Sequence, residues 1–185
     1  MKRLIILSGT PKTEGLTVSY VEAVRAGAEE GGLAVELAPL CRSGVGICRV
    51  CGDGWGPCGS EGRCAFGDDG FAALTERLAA ADAAAVVSPV YWGELSETLK
   101  GYFDRLRRCE ARKGEGGALY GKPVLCVAVA GGSGNGTLSC LEQCERVLRP
   151  LGANITDRIS ATRFNSPYTA QAARAAGRAM AGRLA

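Results

Sequence analysis

Arg3-Leu4-Ile5-Ile6-Leu7-Ser8-Gly9-Thr10-Pro11-Lys12-Thr13-Glu14-Gly15 holds the transition on which the fold turns. Arg3 to Leu7 is an unbroken apolar run behind one charge, the pattern of a strand buried on both faces. Ser8 to Gly15 is small, polar and basic, which ends the strand in a loop. Val18, Val21, Val24 and Ala28 then recur at helical spacing as far as Gly31-Gly32, and Leu33 to Leu40 reads as a second strand. Strand, helix and strand in that order predict a βαβ unit and a parallel sheet.

The same alternation continues outward from this unit. Asp68-Asp69 caps a helix with Phe71, Leu74 and Leu78 on one face, and Ala83 to Pro89 is the third strand. Leu99, Phe103 and Leu106 mark a helix, Pro123 to Ala130 a fourth strand, and Leu138, Leu141 and Leu148 the buried face of a helix over Thr137 to Leu148. Ala153 to Ile159 is the fifth strand, and Ala170 to Leu184 a closing alanine-rich helix. The fold class is α/β, a three-layer doubly wound five-stranded parallel sheet. A length of 185 residues fits one domain over 1–185, with a cysteine- and glycine-rich insertion at about 41–67 that is too long for an ordinary connection.

Composition excludes several chemistries. The chain has no histidine, so a Ser-His-Asp or Cys-His triad and an HExxH zinc site are ruled out. The formal charge of +3 comes from basic residues spread among acidic ones, Arg174, Arg178 and Arg183 reading as a solvated helix face. No nucleic-acid or membrane partner is expected. Met1-Lys2-Arg3 followed by only four apolar residues is not a targeting signal, and a cytoplasmic location follows.

Ligands of such sheets bind at the carboxyl ends of the strands, where three distinctive loops fall. Ser8, Thr10, Lys12 and Thr17 surround the start of the first helix, whose free amides and dipole favour a phosphate. The loop is not a Walker A sequence, because Gly9 and Gly15 enclose five residues and Leu16-Thr17 follows. Pro89, Val90, Tyr91, Trp92 and Gly93 close the third strand with aromatics able to pack on a flat ring. Gly131 and Gly132 begin a loop whose bare backbone permits close approach of a heterocycle.

Three segments then carry a resemblance: Asp68-Asp69-Gly70-Phe71 through Ala81-Asp82, Ser88-Pro89-Val90-Tyr91-Trp92, and Leu99-Lys100-Gly101-Tyr102-Phe103-Asp104-Arg105. In this spaced set the chain resembles the flavodoxin-like NAD(P)H-dependent flavin reductases, which include the iron-sulfur flavoproteins. The resemblance implies FMN as cofactor and NAD(P)H as co-substrate. Ser8, Lys12 and Thr17 would hold the phosphate, Pro89 to Gly93 would line the ring and ribityl chain, and Gly131 and Gly132 would meet the ring edge. It further implies a homodimer or homotetramer that passes electrons to a quinone, another small oxidised substrate or a protein. No catalytic side chain is needed, since the flavin carries the chemistry. A flavodoxin-like electron carrier or redox sensor is the alternative. Lys100, Asp104 and Arg105 read as an i, i+4 ion pair with a subunit or loop contact.

Cys48, Cys51, Cys58 and Cys64 fall within seventeen residues and are candidate metal ligands. A [4Fe-4S] cluster, zinc and free thiols or a redox pair all stay open. Iron-sulfur flavoproteins use a compact Cys-x2-Cys-x2-Cys pattern, and Gly54 stands where the third cysteine belongs, with Cys41 as a spare thiolate. Cys126, Cys140 and Cys144 read as small buried hydrophobes. Cys109 beside Arg107 and Arg108 reads as a surface thiol whose neighbours favour the thiolate.

Overall fold

In a computed structural model that describes residues 1–184, the strands are β1 (Arg3–Ser8), β2 (Ala34–Pro39), β3 (Ala83–Pro89), β4 (Pro123–Ala130) and β5 (Asn154–Thr162). They pair in parallel in the order β2-β1-β3-β4-β5, the flavodoxin-like order of doubly wound sheets. β3 and β4 are buried at every residue and have the bounds their apolar runs predict, with Ser88 the one hydroxyl in β3. The edge strands β2 and β5 are partly exposed, and β5 runs to Thr162, past the expected Ile159.

Among the described residues the α-helices are α1 (Leu16–Glu30), α2 (Pro57–Ser60), α3 (Phe71–Ala80), α4 (Glu97–Glu110), α5 (Thr137–Leu148) and α6 (Ser166–Gly182). α1 and α6 cover one face, over Leu4, Ile6, Val87 and Val127. α3, α4 and α5 cover the other, over Ile5, Leu7, Val86 and Cys126. α1 and α6 touch through glycines: a Cβ on Gly27 would collide with the Arg174 carbonyl, and one on Gly177 with the Val24 carbonyl.

Two expectations change. Leu138 is 74% exposed, and α5 buries Thr137, Cys140, Leu141, Cys144 and Leu148. The stripe runs through Leu141 and Leu148 with the thiols Cys140 and Cys144, and Leu138 falls outside it. α6 starts at Ser166 instead of Ala170, with Pro167 in its first turn, where the missing amide costs nothing.

Candidate functional site

β1 ends at the sheet's switch in direction, beside β3. Gly9 N–H donates to the Val87 carbonyl at 3.0 Å, which ties the β1–α1 loop to β3. A Cβ on Gly9 would meet the Ser96 hydroxyl and Leu99 at the start of α4, so the loop lies flat against that helix. Gly15 is the N-cap of α1 at φ 99°, with no side-chain cap and no acidic residue in the first turn. A fifteen-residue helix thus presents free amide groups and a positive dipole end with no acidic residue in its first turn, and Glu14, just before the cap, lines the cleft beside it.

After β3, Tyr91 and Glu94 exchange backbone hydrogen bonds at 3.1 and 2.9 Å around Trp92 and Gly93. Both central residues have positive φ, 54° and 82°, so this is a type I′ turn with tryptophan where asparagine or glycine is preferred. The turn thrusts the Trp92 side chain fully into solvent at a backbone cost of order 1 kcal/mol. Gly93 and Gly136 hold this turn against the loop after β4: a Cβ on Gly136 would sit 2.6 Å from the Gly93 Cα. A Cβ on Gly131 or Gly132 would meet nothing within 4 Å.

The three loops share one cleft. A cavity of ≈ 260 Å³ is walled by Thr10, Lys12 and Thr17 from the first loop, Pro89, Val90 and Tyr91 from the second, and Gly131 and Gly132 from the third. Val90, Gly131 and Gly132 also line a larger cavity of ≈ 510 Å³ that continues past Trp92 and Gly93. Ser8, expected among this set, opens on the far side of the first loop into a separate cavity. Sequence reasoning missed Ser133, Asn135 and Ser139 in the larger cavity; the glycine run and the helix start after it are the signals that bracket them.

The cysteine segment docks elsewhere, on α3 and α4. Arg105 is 2% exposed and donates to the carbonyls of Gly46 and Phe66 at 2.9 and 2.8 Å, to Asp69 Oδ2 at 2.7 Å and to Cys64 Sγ at 3.3 Å. One turn further, the guanidinium groups of Arg108 and Arg112 lie 4.9 and 5.0 Å from the Trp55 ring centre, and Arg108 also donates to the Gly54 carbonyl. Lys100 pairs with Asp104 at 2.6 Å as expected, and Arg105 makes the loop contact.

The thiols are distributed rather than gathered. Cys41 lies against the Gly9 carbonyl and the Thr98 hydroxyl, each at 3.4 Å, and Cys51 against Gly56. Cys58 is buried in the core with Cys109, and Cys64 packs against it. Among the described residues no three Cys, Asp or Glu side chains are arranged to hold a metal ion. Cys48, Cys51, Cys58 and Cys64 are not gathered into one ligand set in this structure. Cys109 is a correction: it is buried, and burial first, then the charges of Cys64 and Cys58, push its thiol up to about 12. It is neutral at physiological pH.

Comparisons with known proteins agree with this architecture. The chain is 36% identical over 106 residues to an iron-sulfur flavoprotein of Methanocaldococcus jannaschii, covering 57% of this chain and 52% of that one. It is 31% identical over 133 residues to an iron-sulfur flavoprotein of Methanosarcina thermophila, covering 70% and 63%. The chain thus spans less than two thirds of either relative. An NAD(P)H:quinone oxidoreductase from Methanothermobacter marburgensis superimposes with a TM-score of 0.75 at 23% identity, over 96% of this chain and 95% of that one, and shares the fold. The model of the NADPH-dependent FMN reductases matches residues 1–165, the whole sheet with its three loops, and the chain belongs to that family.

Proposed function

We propose that the three-loop cleft binds FMN and that the protein takes hydride from NAD(P)H and reduces a quinone, another small oxidised substrate or an electron-accepting protein. One observation carries this reading: a single cavity is walled by all three strand-end loops. The uncapped start of α1, with Thr10, Lys12 and Thr17, offers amides, hydroxyls and a cation to a phosphate. Ser8 backs the same loop from the other side. Pro89, Val90 and Tyr91 give an apolar wall for the ribityl chain and ring, and Trp92 and Gly93 extend it into the larger cavity.

Gly131 and Gly132 fit the role of a ring-edge contact, because the space a Cβ would fill is open. When bound, FMN would supply hydride uptake from a nicotinamide and electron delivery to an acceptor, chemistry that a histidine-free chain need not perform itself. The side chains bind and orient. Steady-state oxidation of NAD(P)H with a quinone acceptor tests the activity: turnover well above that of free FMN is expected. Bound FMN without turnover would instead make the protein an electron carrier.

A further inference from the structure

The turn at Trp92 and Gly93 is strained, and a strained backbone lasts only where its surroundings fix it from several sides. Two side chains do so here. Ser88, wholly buried at the end of β3, donates through Oγ to the Pro89 carbonyl at 2.8 Å and accepts the Ser96 N–H at 3.0 Å, which closes the loop at its base. On the other side the Leu95 N–H, one residue past the turn, donates to Gln143 Oε1 at 2.7 Å. Leu95 is buried, so its amide goes unpaired when that acceptor is removed.

Gln143 belongs to α5, the helix that follows the loop after β4. Gly136, Ser139 and Gln143 are spaced i, i+3 and i+7, which puts them on one face of the helix, and all three meet the loop after β3. A Cβ on Gly136 would strike the Gly93 Cα, one on Gly93 would lie 2.8 Å from Ser139 Oγ, and Gln143 takes the Leu95 amide. α5 thus holds the second strand-end loop in register with the third. What the turn presents is Trp92, fully exposed on the wall of the ≈ 510 Å³ cavity, whose lining includes Ser133, Asn135 and Ser139 and no ionisable side chain. That cavity shares Val90, Gly131 and Gly132 with the cleft read as the flavin site, so a flat uncharged ring beside Trp92 lies next to the flavin.

We propose that Gln143 is a positioning residue: through the Leu95 amide it holds the Tyr91–Glu94 turn in the conformation that sets Trp92 against the ring of the electron acceptor. The inference rests on the reading that the smaller cleft holds FMN. Because the partner of Gln143 is a donor, the side-chain oxygen is what matters, and glutamate can replace it where leucine cannot.

The test is a double-mutant cycle of Gln143→Leu and Trp92→Ala, read as the KM for a soluble naphthoquinone with FMN held saturating. Each single variant is expected to raise that KM about fivefold, the scale of one hydrogen bond or one ring contact, and the double variant no further than Trp92→Ala alone. Gln143→Glu is expected to restore the wild-type value. Hydrogen exchange of the peptide over residues 89–96 gives a readout that needs no flavin: it is expected to quicken in Gln143→Leu and to return to the wild-type rate in Gln143→Glu. Additive effects in the cycle, no effect of either single variant, or exchange unchanged in Gln143→Leu would overturn the proposal. If the wild type binds no FMN while exchange still follows Gln143, the tie on the turn stands and the flavin reading falls.

Discussion

Trp92 states the compromise at this site in one residue. Its left-handed backbone favours asparagine or glycine, and its side chain buries nothing within the chain. Trp92→Asn is therefore expected to stabilise the protein by about 1 kcal/mol in urea unfolding and to weaken FMN binding severalfold. Unchanged stability would mean that the turn is not strained. Residue-level reading of the sequence succeeded where side-chain type and environment agreed, as with Lys100 and Asp104. It failed at Cys109 and Leu138. Arg108, adjacent in sequence to Cys109, turns its guanidinium to Trp55, while the thiol faces the core. Leu138 lies off the stripe that α5 buries through Thr137, Cys140, Leu141, Cys144 and Leu148, in which Cys140 and Cys144 are the small hydrophobes expected of them.

Elements are legible in proportion to how fully they are buried. β3 and β4 are almost wholly apolar and have the bounds read from that; β2 and β5, each with one free edge, owe their limits to pairing that local pattern does not encode. A loop contact by Arg105 was legible, but not that its buried guanidinium ties α4 to Asp69 and the cysteine segment. Burial raises the Asp69 carboxyl, but Arg105 and the Gly46 and Phe71 amides outweigh it and hold it below the usual carboxylate range. Its folded pKa is depressed, so its contribution is complete above the unfolded value near ~3.9 and is lost as pH falls through the folded value. Asp69→Asn strands a buried cation and is expected to cost about 3 kcal/mol at pH 7 by denaturant unfolding, the gap to wild type narrowing below about pH 4. A gap independent of pH would contradict the ion pair. Between α1 and α6, Gly27→Val drives a side chain into the Arg174 carbonyl; a loss of about 1–3 kcal/mol, seen as a lower Tm, is expected with no change in ligand affinity.

For the whole molecule, the alternation of strands and helices makes a parallel doubly wound sheet readable, and binding at the strand carboxyl ends follows from it. What periodicity cannot supply is which loop faces which cavity. Ser8 lies behind the first loop, and Lys12 stands between two cavities, because the chain's path around Gly9 is set by contact with α4. The central claim is that FMN lies against the bare backbone of the loop after β4. Gly131 is the position that isolates it, since a Cβ there meets nothing within 4 Å and the residue lines both cavities. The decisive measurement is titration of FMN, followed by its fluorescence, into wild-type protein and Gly131→Leu of equal Tm. The account predicts one FMN per wild-type chain and at least tenfold weaker binding by the variant, the scale of a lost ring contact. Absence of FMN binding by the wild type, or equal affinity in the two proteins, would contradict it.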